Sequence, residues 1–260
     1  MLQDVGIGII KTGPAAAGPY FWEDFMDLAH TTWNAGTYQQ FFTYLQSLGE
    51  ADYKAFSDSL VPGTPHTFGI RIPALRRLAK EILKGDYGQY LLLEKGDYHE
   101  EVIIEGLVMA GVRCGYAQML GYMKAFTDKI YNWAICDTVS FKGVKKHREE
   151  FIADVDWFID HKNPWAVRFG FGALMAFYLD DAYIDTVLEK VERIDSDFYY
   201  VQMMQAWLLA TAFAKCRPQT LAFLERGPMN AVTTNMAVRK IRESLRIPKE
   251  DKELALQFKK

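Results

Sequence analysis

A tryptophan and an aspartate stand four residues apart in the segment from Asn132 to Asp137. Residues at positions i and i+4 of a helix lie on the same face, one turn from each other. Trp133 and Asp137 would therefore present an aromatic ring and a carboxylate side by side to a substrate. Taken alone, the pair is a weak signal that a core tryptophan beside a solvated aspartate would also explain, and both interpretations stay open at this point.

Two further residues could share that surface. Arg168 is the lone charge in an apolar run that continues to Leu179, so it needs a partner, which is either a neighbouring carboxylate or a bound phosphate. Trp207 lies in the uncharged stretch 198–214, where an aromatic residue is usually part of the core. The spacings between Asp137, Arg168 and Trp207 are close to the period of a HEAT-like repeat, which could place them on one concave face.

Basic residues gather in three clusters although the chain as a whole carries a net charge of -3. A curved protein could bring these clusters to one groove, where they would neutralise phosphates and make binding depend on salt. Solvated helix faces are the alternative. The candidate DNA-binding residues are Arg71, Arg76, Arg77, Lys80, Lys142, Lys145, Lys146, Arg148, Arg239, Lys240, Arg242 and Arg246.

Several kinds of site are disfavoured by the sequence. The three cysteines are widely spaced and odd in number, which argues against a disulfide framework and against a zinc site. The glycine pairs Gly6/Gly8 and Gly170/Gly172 do not follow a predicted strand, so we do not interpret them as dinucleotide loops. No metal or cofactor is expected, and a reducing cytoplasm fits the cysteine content.

The elements that must position these residues are helices. Apolar residues recur with helical spacing throughout the chain, and no sustained alternation of the kind seen in strands is found. Short breaks at Gly and Pro separate pairs of helices with a rhythm of roughly 30 to 45 residues. The pattern predicts an all-α protein, an α-solenoid of HEAT-like repeats. We expect an N-terminal extension with a possible first helix over residues 1–35 and a single repeat domain over residues 36–260.

Several segments together resemble the AlkD-like DNA alkylation repair family, over roughly Gln40 to Lys260. Their order and spacing carry the resemblance, since no single segment is decisive. The segments are Phe68 to Lys80, Trp133-x-x-x-Asp137, Trp165 to Arg168, Gln202 to Trp207 and Asn235 to Ser244.

The resemblance implies a monofunctional DNA glycosylase that removes N3- and N7-alkylated purines from duplex DNA without flipping the base into a pocket. In active members a Trp, an Asp, an Arg and a second Trp line the concave cleft, and the matching positions are Trp133, Asp137, Arg168 and Trp207. Asp137 would stabilise the cationic sugar, the two indoles would hold it, and Arg168 would fix a flanking phosphate. The partner would be double-stranded DNA, and the protein would act as a monomer in the cytoplasm, or at the nucleoid of a bacterium.

Two other functions remain open. A non-catalytic member of the same family would bind bent or branched DNA through the same basic groove and release no base. A protein-binding scaffold is the commonest function of stacked helix pairs, and it would have no affinity for DNA at physiological salt.

Overall fold

The computed structural model describes residues 26–260, which contain helices and no β-strand. The all-α class predicted from the sequence is therefore confirmed for this part of the chain. The α-helices are α1 Ala35–Ser47, α2 Ala51–Leu60, α3 Ile72–Ile82, α4 Tyr87–Leu92, α5 His99–Gly111, α6 Tyr116–Thr127, α7 Trp133–Thr138, α8 Arg148–Asp154, α9 Asp156–Ile159, α10 Pro164–Phe177, α11 Ile184–Arg193, α12 Tyr199–Lys215, α13 Arg217–Arg226, α14 Ala231–Glu243 and α15 Lys249–Leu254. Short 3₁₀ helices cover Lys142–Lys146 and Ala255–Phe258.

The described residues form two compact units, an N-terminal unit of residues 26–147 and a C-terminal unit of residues 148–260. The sequence predicted one repeat domain over 36–260, and its arrangement as a solenoid stays a prediction. Of the extension predicted over residues 1–35, residues 1–25, with Gly6 and Gly8, lie outside the described residues. Residues 26–34 form turns rather than a helix, yet Leu28 and Trp33 are buried in the N-terminal unit.

The helices of the C-terminal unit alternate between two layers. α10, α12 and α14 pack against one another in sequence, while α11 packs on α13. Stacked helix pairs produce this pattern, because each helix contacts its counterpart in the next pair. α10 and α12 bury residues on most of their circumference, as their nearly uncharged sequences predict.

In the N-terminal unit, α5 is the central helix. It packs against α3, α4, α6 and α7, and ten of its residues are buried, from His99 to Met109. Three glutamates are among them. Glu105 pairs with Lys129 at 2.8 Å and with Lys95 at 3.6 Å, and Glu101 accepts a hydrogen bond from the hydroxyl of Tyr38. Burial raises the pKa of Glu101 and lowers the pKa of Lys95.

Local sequence signals explain where many helices begin. Asparagine side chains cap α1, α7, α10 and α14 by accepting a hydrogen bond from a backbone amide of the first turn. Pro73 and Pro164 lie in the first turns of α3 and α10, where the missing amide proton costs nothing. These breaks agree with those expected from the sequence.

Gly170 allows α10 to approach α9 closely. A Cβ atom added at Gly170 would lie 2.8 Å from Cγ2 of Ile159 and 2.9 Å from Cβ of Phe158. Both distances are shorter than a carbon–carbon contact allows. The glycine is therefore a packing residue, which agrees with its rejection as part of a nucleotide loop.

Within residues 26–260, no helix is long and apolar enough to cross a membrane. The same part of the chain contains no group of three or more His, Cys, Asp or Glu side chains arranged to hold a metal ion.

Candidate functional site

Helix α7 presents the Trp133 and Asp137 side chains predicted from the sequence. The helix is six residues long, and the two residues are one turn apart, each partly exposed. Ile135 and Cys136 are buried and fix the other side of the helix in the core. The carboxylate and the indole are therefore held on one side of a short, anchored helix, as the i, i+4 spacing predicts.

Asn132 anchors the start of α7. Its side-chain oxygen accepts a hydrogen bond from the backbone amide of Ile135 at 2.9 Å. Its side-chain nitrogen lies 3.1 Å from Oγ1 of Thr64, to which it donates, and 3.3 Å from Nδ1 of His99. Burial lowers the pKa of His99, which favours the neutral ring that can accept this hydrogen bond. Asn132 therefore ties α7 both to α5 and to the loop after α2.

The indole of Trp133 is held at its polar edge. Its Nε1 group donates a hydrogen bond of 3.2 Å to the backbone oxygen of Leu60, the last residue of α2. This bond restrains the ring at one edge and does not involve its faces.

In the C-terminal unit, α10 and α12 bring Arg168 and Trp207 together. The guanidinium carbon of Arg168 lies 5.2 Å from the centre of the Trp207 ring, within the range of a cation–π contact. One guanidinium nitrogen donates a 2.6 Å hydrogen bond to the backbone oxygen of Tyr200. Arg168 is only 1% exposed. A guanidinium this deeply buried is placed to hold the indole and the start of α12.

This geometry bears on the role expected for Arg168. The sequence left open a carboxylate or a phosphate as its partner, and the structure shows a backbone carbonyl and an aromatic ring in contact with it. A phosphate could reach the guanidinium only if the side chain became exposed. The sequence could not reveal this partner, because Tyr200 lies 32 residues further along the chain.

A second cation approaches Trp207 from α14. Nζ of Lys240 is 5.8 Å from the centre of the indole ring, and it donates a 2.8 Å hydrogen bond to Glu243. Nε of Arg239 donates to the other oxygen of the same carboxylate, also at 2.8 Å. The bond from Lys240, reinforced by that from Arg239, lowers the pKa of Glu243. The carboxylate of Glu243 therefore remains charged and forms ion pairs with Arg239 and Lys240, two of the predicted DNA-binding residues.

The remaining basic candidates differ in their positions on the two units. Arg71 forms a two-pronged ion pair with Glu50, and Arg148 pairs with Asp180. The guanidinium of Arg148 also lies over Tyr183, 4.3 Å from the ring centre. The others are exposed on the surface of their own unit. They are Arg76, Arg77, Lys80, Lys142, Lys145, Lys146, Arg242 and Arg246.

Glu100, which the sequence did not single out, fixes the segment leading into the basic helix α3. Its buried carboxylate accepts hydrogen bonds from the backbone amides of Phe68, Gly69 and Ile70, at 2.9, 2.7 and 3.1 Å. Gly69 has a φ of +82°, a conformation that glycine adopts without strain. The turn presenting α3 therefore depends on an anion supplied by α5.

The sequence also matches a known protein family. The sequence model of a family described as DNA alkylation repair enzyme matches residues 42–246. This span covers most of the chain and includes all four proposed cleft residues. The chain belongs to the DNA alkylation repair enzyme family. No curated protein and no solved structure matches it. A general role in DNA repair follows from this membership.

The structure places the four predicted site residues as two pairs. Trp133 and Asp137 lie together in the N-terminal unit, and Arg168 and Trp207 lie together in the C-terminal unit. Asn132 and Glu100, which orient neighbouring elements, were missed as functional positions. For Asn132 the signal was present, since an Asn directly before a helix is a preferred N-cap.

Proposed function

We propose that this DNA alkylation repair protein is a monofunctional glycosylase that hydrolyses the N-glycosidic bond of N3- or N7-alkylated purines in duplex DNA. The observation that carries the proposal is the family match across residues 42–246, with an aspartate, an arginine and two tryptophans at the positions that the resemblance requires. The preformed geometry of each pair supports it.

The reaction requires little acid catalysis from the protein. A purine alkylated at N3 or N7 carries a positive charge, so the bond between C1′ and the base nitrogen can break with its electron pair passing to the ring. The base then leaves as a neutral molecule. Water adds to the electron-poor C1′ and gives up a proton, and the products are a free alkylated base and an abasic site.

Asp137 is the proposed catalytic residue. As the glycosidic bond stretches, positive charge develops on the deoxyribose, and a fixed carboxylate beside it lowers the energy of that state. The same carboxylate can accept a hydrogen bond from the attacking water and orient it. Its place on the anchored helix α7, partly exposed, meets both requirements.

Trp133 is proposed to contact the cationic sugar through an electron-rich ring face, the role that the resemblance implies for both tryptophans. The ring of Trp133 is restrained at its nitrogen by the hydrogen bond to Leu60. For Arg168 we propose a positioning role, in which it holds Trp207 and the backbone of Tyr200 in place. Recognition through the DNA backbone would then rest on the exposed basic residues, and no base-specific pocket is required.

The partner is double-stranded DNA, and neither a cofactor nor a metal ion enters the reaction as proposed. We expect a monomer that acts in the cytoplasm or at the nucleoid, where its substrate lies.

The test is release of 7-methylguanine and 3-methyladenine from methylated duplex DNA, with Asp137→Asn compared with the unmodified protein. We expect the variant to lose about 100-fold or more in rate, as for removal of one fixed electrostatic group, while DNA binding changes little. Asp128→Asn, an exposed aspartate in the same unit, is the matched control and should release bases at the normal rate.

Three other outcomes would change the assignment. Equal rates for Asp137→Asn and the unmodified protein would show that Asp137 has no catalytic role. DNA binding without base release by the unmodified protein would make it a non-catalytic DNA binder. Absence of both would favour a protein-binding scaffold.

A further inference from the structure

Four aromatic residues form a cluster at the start of α12 that the proposed chemistry does not use. We name this cluster the aromatic platform, and it consists of Trp165, Phe198, Tyr199 and Tyr200. The ring centres of Trp165 and Tyr200 are 5.0 Å apart, and Phe198 packs on Trp165 at 5.3 Å. Tyr199 packs edge-on against Tyr200 at 5.2 Å. Each ring thus supports the next one.

Tyr199 is the exposed member of the platform. It is 53% exposed, whereas the other three rings are partly buried. An exposed tyrosine supported by a second ring offers a flat, rigid, apolar surface to solvent. Such a surface is suited to stacking against another flat ring.

The backbone under the platform is fixed from below. Arg168 donates to the backbone oxygen of Tyr200. The side chain of Gln202 donates to the backbone oxygen of Ser196 at 2.8 Å, and the hydroxyl of Ser196 accepts from the amide of Phe198 at 3.2 Å. The rings are therefore held in place before any ligand arrives, which reduces the entropy that binding costs.

The helix packed against α12 carries cationic side chains. α14 packs along α12, and the side chain of Arg239 on α14 is 75% exposed. Arg242 and Arg246 are exposed on the segment that follows Arg239. The exposed acidic residues Asp195 and Asp197 precede the platform in the chain, whereas the exposed cations lie on α14 and just after it.

We propose that the aromatic platform binds one unpaired base of a DNA strand, stacked on Tyr199, while Arg239 exchanges its ion pair with Glu243 for the adjacent phosphate. Aromatic rings beside cationic side chains are the arrangement with which proteins bind unstacked nucleotides. The base is held on an open surface, not in a pocket. This inference rests on DNA being the substrate, as proposed above, and it adds a preference for DNA that contains an unpaired base.

The experiment measures binding by fluorescence anisotropy to two unmodified duplexes that differ only in one bulged nucleotide. Unmodified DNA separates binding from excision. We expect the full-length protein to bind the bulged duplex more tightly. Tyr199→Ala should lose roughly 5- to 100-fold in affinity for the bulged duplex, the range expected for one base stacked on an aromatic ring, and much less for the paired duplex.

Two control variants make the result specific to stacking. Tyr199→Phe keeps the ring and should bind within about 2-fold of the unmodified protein. Phe56→Ala removes an exposed aromatic residue of the N-terminal unit and should leave both affinities unchanged.

The inference is overturned if the unmodified protein binds both duplexes equally, or if Tyr199→Ala weakens both to the same extent. It is also overturned if the protein binds neither duplex, and release of methylated bases then tests the proposed function separately. A loss confined to the bulged duplex, in a protein that releases no methylated base, would support the platform while refuting the glycosylase.

Discussion

Replacing Glu100 tests whether the turn before the basic helix α3 depends on the buried carboxylate. Glu100 is 2% exposed, and its two oxygens accept three backbone hydrogen bonds from residues 68–70. In Glu100→Ala all three amides lose their acceptor, and those of Gly69 and Ile70 belong to buried residues. In Glu100→Gln one side-chain oxygen can still accept a backbone hydrogen bond. The new NH₂ group cannot accept one, and its own N–H groups face the backbone N–H groups.

The magnitude follows from the number of bonds lost. A hydrogen bond to a charged group contributes about 1.5–3 kcal/mol, and a buried amide without a partner costs about 1–3 kcal/mol. Water can reach the amide of Phe68, which is only partly buried, and the turn can relax. We therefore expect Glu100→Ala to lower the free energy of unfolding by about 3–5 kcal/mol, and Glu100→Gln by about 1–3 kcal/mol. The first loss is a large fraction of the usual stability of a domain.

Urea denaturation followed by circular dichroism measures the global loss, and hydrogen exchange at Gly69 and Ile70 measures the local one. Glu94→Ala, which removes an exposed glutamate of the same unit, is the matched control. If Glu100→Ala unfolded within 1 kcal/mol of the unmodified protein, with both amides still protected, the carboxylate would not be what holds the turn.

Two further predictions concern pairs of charged or polar groups. Tyr38→Phe removes the donor to Glu101, whose folded-state pKa lies above its unfolded value, so stability is lost as the pH rises through the folded pKa. We expect the variant to raise this pKa further, so that its deficit in unfolding free energy grows with pH to about 1–3 kcal/mol at pH 7, as urea titrations at several pH values would show. A deficit that shrinks with pH would contradict this. Glu243→Gln releases Arg239 and Lys240 and removes a repelling charge, so DNA affinity should rise about 2- to 5-fold at low salt and less at high salt. Unchanged or weaker binding in a salt titration would show that Glu243 does not compete with DNA.

Features encoded by neighbouring residues could be predicted from the sequence. The i, i+4 relation of Trp133 and Asp137, and the helix starts at Pro73 and Pro164, follow from local geometry. The all-α class follows from the same periodicity, summed over the chain.

Features that depend on distant partners could not be predicted. The contact of Arg168 with the carbonyl of Tyr200, and the bonds from residues 68–70 to Glu100, join positions about 30 residues apart. The sequence alone also does not show which basic residues form ion pairs within the protein. Only the folded chain shows that Arg71 and Arg148 are engaged with Glu50 and Asp180, whereas Arg76 and Arg77 are exposed on α3.

The close approach of α9 and α10 at Gly170 restricts which residues the chain can accept there. Even alanine would push α10 away from Ile159 and Phe158, and Arg168 lies only two residues before it on the same helix. A substitution at Gly170 would therefore shift Arg168 and, through it, the ring of Trp207, although the substituted side chain itself would not contact DNA. In a screen for lost repair, Gly170 should prove as intolerant of mutation as a residue that contacts the substrate.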